Sequence, residues 1–133
     1  MTRLVIDASA AVALVIGRHP GAEQALALLD AAETVLAPRL YWTEIANALW
    51  KYTRQSGLPE AAAIAYLEEA TAIVQEPVDD ELLSTEALIA AVRFDHPVHD
   101  ALYAVLARRR GAAVLTLDRR LRSLLARMRV DAV

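Results

Sequence analysis

The chain has 133 residues, 56% of them hydrophobic, with no cysteine and a formal net charge of −3. This length fits one domain with a sizeable core, so we predict a single domain over residues 1–133. The lack of cysteine excludes disulfides, zinc–thiolate centres and thiol nucleophiles, and the charge argues against a general nucleic-acid binder. The sequence has no signal-peptide pattern and no apolar run near the ~20 residues of a membrane span, so we predict a cytoplasmic protein with no membrane contact.

Strand and helix signals alternate along the first half of the chain. Leu4–Ile6 is an apolar run without polar alternation, which is typical of a strand buried on both faces of a parallel sheet, and Asp7 follows at its carboxyl end. Ser9 is expected to cap a short helix over 10–16. The remaining signals predict helices over 22–32, 41–55 and 59–72 and a strand over 34–37.

The second half continues this alternation. Residues 73–75 resemble a strand before Pro77, and the acidic cluster 79–81 suits the positive end of a helix that runs to Arg93. Further signals predict a helix over 99–110, a strand over 112–116, a basic helix after Asp118 and a terminal strand over 128–130. The alternation predicts an α/β domain with a mostly parallel sheet and helices on both faces.

Four acidic residues follow a predicted strand or open a predicted helix. They are Asp7, Glu44, Asp100 and Asp118. Because ligands bind at the carboxyl ends of parallel strands, we expect at least three of these acids, and up to all four, to gather at one edge of the sheet. Clustered carboxylates repel one another unless a cation lies among them, and oxygen donors suit magnesium or manganese completed by substrate phosphates. The sequence therefore predicts a divalent-metal phosphodiester site.

Each acid also has an ordinary structural explanation. Asp118 can cap a helix, and Asp100 can favour a helix N-terminus. Glu44 can form a salt bridge with Arg39 or Lys51. Asp7 is the hardest to explain in this way, because few structural roles place a carboxylate at the end of a buried strand. Four independent structural explanations are less probable than any single one.

Two histidines flank Asp100 along the chain. A histidine metal site or general base is conceivable there, but neither His96 nor His99 has a histidine partner four residues on. We therefore expect both to face solvent or to cap a helix.

Four segments, in this order, resemble the motifs of PIN-domain ribonucleases. They are Ile6-Asp7-Ala8-Ser9, Glu44 soon after Pro38, the segment 99–107 that begins His99-Asp100, and the segment 115–121 that begins Leu115-Thr116-Leu117-Asp118. Their order and spacing over nearly the whole chain are most similar to the VapC toxins of type II toxin-antitoxin pairs. The resemblance implies a PIN-like three-layer α/β/α sandwich, a Mg²⁺- or Mn²⁺-dependent endoribonuclease, a homodimer, and inhibition by a VapB-type antitoxin.

The resemblance also implies roles for the four acids. Asp7, Glu44, Asp100 and Asp118 match the family's acidic metal-site positions. Asp7 and Asp100 are then expected to bind the metal directly, with Glu44 and Asp118 completing the site or acting through water. The implied reaction is hydrolysis of RNA by a metal-activated water, leaving a 5′-phosphate and a 3′-hydroxyl.

Hydroxyl and arginine residues accompany these acids. Ser9 and Thr116 match family positions whose hydroxyls orient carboxylates or water, although each can equally be a cap or strand-end residue. Arg119, Arg120 and Arg122 are expected to contact RNA phosphates. Arg119 and Arg120 stand where some relatives carry a further acid, which argues against a fully occupied second metal site.

The aromatic residues of the helix over 41–55 divide between two faces. Tyr41 and Tyr52 lie on its apolar stripe and, like Tyr103, are expected in the core. Tyr103 follows Asp100 by one turn, so it can also line the site. Trp50 projects away from that stripe. We therefore predict that Trp42 and Trp50 contact the antitoxin or a second copy of the chain.

Two other functions compete with the nuclease. One is a non-catalytic PIN-fold interaction module whose acids hold a structural ion, and the intact set of four acids argues against it. The other is a phosphatase or phosphate-accepting receiver. It needs a second acid two residues after Asp7 or a lysine at a strand end, but Ser9 occupies that position and the only lysine, Lys51, lies in mid-helix.

Overall fold

A computed structural model describes residues 2–17 and 19–133. The strands of this part of the chain are β1 (Arg3–Ile6), β2 (Thr34–Pro38), β3 (Glu76–Val78) and β4 (Ala113–Leu115). Its α-helices are α1 (Ala8–Ile16), α2 (Ala22–Ala31), α3 (Leu40–Ser56), α4 (Glu60–Ile73), α5 (Ser84–Phe94), α6 (Val98–Arg110) and α7 (Arg119–Met128). A short 3-10 helix at Asp80–Leu82 precedes α5. Every helix in the described part of the chain is too short or too polar to span a membrane.

The four strands form one parallel sheet in the order β3-β2-β1-β4. Ile6 lies opposite Leu115 in the register of β1 and β4. The two strands therefore end side by side, and the main-chain N–H of Asp7 donates to the carbonyl oxygen of Leu115 at 3.2 Å. The residue after β1 and the residue after β4 are neighbours for this reason.

Alternate strand residues face different helix layers, as a sheet buried on both faces requires. Val5 and Leu36 pack in a core with α5, α6 and α7. Ile6, Val35 and Ala37 pack in a second core with α1, α3 and α4. The structure confirms the predicted mostly parallel three-layer α/β/α sandwich.

Helix α6 is central to one of these layers. Seven consecutive residues, from Ala101 to Ala107, are buried. The helix is buried all round because it packs on β1 and β2 on one side and on α5 and α7 on the other. Asp100, at its first turn, therefore has a fixed position relative to the sheet.

The prediction of a strand over residues 73–75 is wrong. Ile73 ends α4, and the strand lies at Glu76–Val78. β3 is at the edge of the sheet, where a proline such as Pro77 is tolerated because only one side of the strand is paired.

The acidic cluster 79–81 does not begin the fifth helix. It falls in and just before the 3-10 helix, and α5 starts at Ser84. Asp80 accepts a hydrogen bond from the N–H of Leu40 at 3.1 Å, at the start of α3. The cluster therefore satisfies the N-terminus of a different helix from the one predicted.

The terminal strand predicted over 128–130 is also wrong. Met128 ends α7, whose buried face carries Leu121, Leu124 and Leu125 before it. A single bridge between Ala132 and Val114 adds to the sheet instead. The apolar spacing of three and four residues continues the helix through Met128.

Candidate active site

All four predicted acids line one cleft at the carboxyl edge of the sheet. The cleft has a volume of about 520 Å³. Its acidic lining consists of Asp7 after β1, Glu44 in α3, Asp100 in α6 and Asp118 after β4. Parallel strand ends and two helix starts bring these side chains together, as the positions of the acids in the sequence predict.

Asp7 is the most enclosed of the four acids, at 4% exposed. It is also the N-cap of α1, because its Oδ1 accepts from the N–H of Ala10 at 2.9 Å. The expectation that Ser9 caps this helix is wrong. Ser9 lies inside α1, and its Oγ instead donates to Asp7 Oδ1 at 2.8 Å.

Two hydroxyls connect Asp7 to the loop after β4. The buried Thr116 hydroxyl donates to Asp7 Oδ2 and accepts from the N–H of Asp118 at 3.0 Å. The Ser9 hydroxyl accepts from the N–H of Leu117 at 3.1 Å. Ser9 and Thr116 therefore fix the carboxylate of Asp7 relative to the loop that carries Asp118.

Asp118 has a structural role as well as a place in the cleft. It is the N-cap of α7, and its Oδ1 accepts from the N–H groups of Arg120 at 2.8 Å and Leu121 at 3.2 Å. The capping explanation considered from the sequence is thus correct for this residue. While it caps α7, Asp118 also lies close enough for its charge to raise the pKa of Asp7 and of Glu44.

Burial and crowding of negative charge perturb two of the acids. The pKa of Asp7 is raised to about 6, mainly by burial and to a smaller extent by the charge of Asp118, against three opposing hydrogen bonds. Burial also raises the pKa of Glu44; the Tyr103 hydroxyl lowers it, while Asp100 and Asp118 raise it. The cleft therefore penalises the ionised forms of Asp7 and Glu44 when no cation is bound.

Two side chains hold Glu44 and Asp100, the two acids that lie within helices, in place. The buried Tyr103 donates its hydroxyl to Glu44 Oε1 at 2.6 Å. His96 Nε2 lies 2.7 Å from Asp100 Oδ2, and the His96 side chain is only 8% exposed. The expectation that His96 faces solvent or caps a helix is therefore wrong, whereas His99 is exposed as predicted. The spacing of four residues from His96 to Asp100 is the signal that was missed.

The three arginines after Asp118 have different surroundings. Arg119 and Arg120 are exposed at the start of α7. The Arg122 guanidinium donates from Nη2 to the carbonyl oxygens of Thr116 and Val133, each at 2.9 Å. Arg122 thus supports the loop after β4 and the residues that follow α7.

Helix α3 contributes three cleft residues that sequence reasoning missed. Asn47, Lys51 and Tyr52 line the cleft on the same side as Glu44. The prediction of Tyr52 in the core is wrong, since it is 41% exposed. The spacing of three and seven residues from Glu44 to Asn47 and Lys51 was the available signal.

The donor set of the cleft suits a hard divalent cation. Within the residues that the structure describes, no three His, Cys, Asp or Glu side chains are grouped closely enough to coordinate one ion together. Mg²⁺ commonly takes only one or two protein carboxylates and keeps several waters. Oxygen donors whose ionised forms are penalised by burial and by one another therefore fit Mg²⁺ or Mn²⁺ with few direct ligands.

Comparison with known proteins agrees with this architecture. The family model described as PIN domain matches residues 4–125, so the chain belongs to the PIN-domain family. Ribonuclease VapC3 of Pyrobaculum aerophilum is 36% identical over 123 residues, covering 90% of this chain and 92% of that protein. The resemblance to VapC proteins drawn from the four motifs is thereby confirmed.

Solved structures give the same fold. The crystal structure of PAE2754 from Pyrobaculum aerophilum has a TM-score of 0.71 at 28% identity and covers 96% of this chain and 90% of its own. A DNA-bound VapBC from Salmonella typhimurium has a TM-score of 0.67 at 16% identity, with 92% of each chain covered. The sandwich and its parallel sheet are therefore shared with VapC structures.

Proposed function

We propose that the chain is a metal-dependent endoribonuclease of the VapC type, which hydrolyses RNA phosphodiester bonds. The observation that carries this proposal is the convergence of four carboxylates in one cleft, with the buried Asp7 held by Ser9 and Thr116. The name of the relative Ribonuclease VapC3 supports RNA as the substrate. Mg²⁺ or Mn²⁺ is the proposed cofactor.

The acids divide into two pairs in this proposal. Asp7 and Asp100 bind the cation directly, and Glu44 and Asp118 complete the site or act through water. When bound, the cation lowers the pKa of a water towards neutrality and offsets the charge that develops on the phosphate.

Neighbouring groups position these acids. Ser9 and Thr116 keep both oxygens of Asp7 in fixed directions, and His96 does the same for one oxygen of Asp100. Tyr103 holds Glu44 with a hydrogen bond that favours the ionised carboxylate.

Basic residues beside the cleft complete the proposal. Arg119 and Arg120 contact RNA phosphates from the exposed start of α7. Arg122 has its Nη2 engaged by two main-chain carbonyls, so its support for a phosphate acts mainly through the position of the loop after β4.

The test is cleavage of total cellular RNA by the purified protein with Mg²⁺, Mn²⁺ or EDTA. Discrete new ends carrying 5′-phosphates are expected with either metal and are expected to vanish in EDTA and in Asp7→Asn. If folded, antitoxin-free wild type and variant leave the RNA equally intact in every metal, the non-catalytic interaction module becomes the better description.

We also propose a VapB-type antitoxin as a partner and a homodimer as the state of the chain. An apolar groove of about 380 Å³ lies between α3 and α4 and includes Trp50 and Ile64, each about half exposed. Trp42 is less available, because its ring packs edge-on against Tyr41 and its Nε1 donates to Thr71 at 3.1 Å. Of the two tryptophans, Trp50 therefore offers the larger contact surface for the antitoxin.

A further inference from the structure

One face of α3 extends the cleft away from the carboxylates. Glu44, Asn47 and Lys51 follow one another at three and four residues, so they form a single stripe along the helix, and Tyr52 lies beside it. With a rise of 1.5 Å per residue, Lys51 stands about 10 Å along the axis from Glu44. The cleft therefore has an acidic end and, about 10 Å away along α3, an end with a different chemistry.

Lys51 gives this second end its charge. It is the only lysine in the chain and, among the residues that the structure describes, the only basic one that lines the cleft. Among the ion pairs of the described residues, none involves Lys51, although four carboxylates share its cleft. Its ammonium group is therefore available to a phosphate, which the carboxylates alone would repel.

Tyr52 gives the second end its aromatic surface. Tyr41 and Tyr103 are fully buried, whereas Tyr52 is exposed and faces the cleft. An exposed ring beside a cation is the combination that binds single-stranded nucleic acid, since the ring stacks on a base and the cation contacts the backbone. A base that remains stacked inside a duplex has no free face for such a ring.

We propose that Lys51 and Tyr52 form the subsite for the nucleotide that flanks the cleaved phosphate, with Lys51 on its phosphate and Tyr52 stacked on its base. The inference rests on the proposed nuclease function and deepens it. The subsite takes an unpaired nucleotide, because Tyr52 can stack only on a base that has a free face.

The charge contact is tested by binding of fluorescein-labelled oligoadenylate in Mg²⁺ to protein carrying Asp100→Asn, which prevents cleavage. Lys51→Ala should weaken binding and reduce the slope of log affinity against log salt by about 0.7, the value for one single-strand phosphate contact. Lys51→Arg should keep the slope. Arg54→Ala is the matched control, because Arg54 lies on the same helix but packs over Trp50 outside the cleft. Equal slopes for the Asp100→Asn protein with and without Lys51→Ala would overturn the phosphate contact.

The stacking contact is tested with Tyr52→Leu and Tyr52→Phe in the same assay. Tyr52→Leu should lose about tenfold in affinity for oligoadenylate, and Tyr52→Phe should keep it. An abasic oligomer offers no base, so the Asp100→Asn protein should bind it equally well with and without Tyr52→Leu. A loss of the same size on both oligomers, or no loss on either, rules out stacking. Both side chains are exposed, so the folded state of each variant is checked by thermal melting and is expected to match the wild type.

Cleavage of total cellular RNA separates failure of this subsite from failure of the nuclease proposal. Lys51→Ala and Tyr52→Leu should raise KM with little change in kcat, while Asp7→Asn abolishes cleavage. If Asp7→Asn abolishes cleavage but the two subsite variants keep the KM of wild type, the nuclease stands and the subsite is wrong. If wild type neither cleaves RNA nor binds oligoadenylate, both proposals fall.

Discussion

The hydroxyl of Thr116, at the end of β4, donates a hydrogen bond to the carboxylate of Asp7, at the end of β1. The two residues are 109 positions apart in the chain, and the parallel register of β1 with β4 brings them together. The geometry of the most enclosed acid in the cleft therefore depends on a side chain from the other end of the sequence.

Thr116→Val tests this dependence with a side chain of nearly the same shape. The variant removes the hydrogen bond from the Thr116 hydroxyl to Asp7 Oδ2. We therefore expect a loss of roughly 10- to 100-fold in metal affinity or activity. Thr116→Ser should restore most of the loss because it keeps the hydroxyl. The measurement is cleavage rate against Mg²⁺ concentration, and an unchanged Mg²⁺ requirement in Thr116→Val would contradict the positioning role.

Tyr103→Phe tests the hydrogen bond to Glu44. The Tyr103 hydroxyl lowers the pKa of Glu44, so its removal should raise that pKa further. If ionised Glu44 is needed, the acidic limb of the pH–rate profile should move to higher pH, and stability should fall by about 1 kcal/mol.

Tyr41→Phe is the matched control for that variant. It also removes a buried hydroxyl, one that donates to the carbonyl oxygen of Ala70 at 2.7 Å rather than to Glu44. It should lower stability similarly without moving the acidic limb. The same shift in both variants would assign the effect to general loss of packing rather than to Glu44.

The features that the sequence predicts well are those with a local physical cause. β1 is evident because a parallel strand that is buried on both faces needs an unbroken apolar run. The ends of α3 and α6 are evident because Gly57 and Gly111 adopt the left-handed backbone that ends each helix. The gathering of the acids follows from the parallel sheet, which only requires strand ends to be identified.

The features that were missed depend on how the chain turns between helices, on how much of a helix the core covers, and on runs too short to show a period. His96 reaches Asp100 because Asp95 adopts a left-handed backbone with φ of 50° and redirects the chain between α5 and α6. Tyr52 continues the apolar stripe of α3 in sequence, but the stripe extends past the region that the core covers. Residues 73–75 are too few for periodicity to separate a helix end from a strand.

Trp50→Ala tests the proposed antitoxin surface. The side chain is half exposed in the groove between α3 and α4, so we expect little effect on folding and a loss of at least about 30-fold in affinity for the antitoxin, as for an interface hot spot. Isothermal titration with the proposed VapB-type antitoxin measures the effect. Leu26→Ala, on α2 and similarly exposed, is the control that should bind normally. Unchanged antitoxin affinity and unchanged dimerisation in Trp50→Ala would remove the proposal.

The raised pKa of Asp7 predicts how the stability of the metal-free protein depends on pH. Its pKa rises from 3.8 to about 6 on folding, so the folded protein holds this proton more tightly than the unfolded chain. This tighter proton binding by Asp7 adds to the free energy of unfolding. The added stability is fully present below about pH 4 and is lost as the pH rises through about 6. Two pKa units correspond to about 3 kcal/mol.

Asp7→Asn removes this titration and so isolates it. In EDTA, the stability of Asp7→Asn relative to wild type should increase from about pH 4 to about pH 7, by up to about 3 kcal/mol. Urea unfolding at each pH measures the difference. Adding Mg²⁺ at neutral pH should stabilise wild type and leave Asp7→Asn nearly unchanged, because the proposed cation site requires the ionised Asp7 carboxylate of the folded state. A difference between the two proteins that does not vary with pH would show that burial of the Asp7 charge is not what destabilises the metal-free cleft.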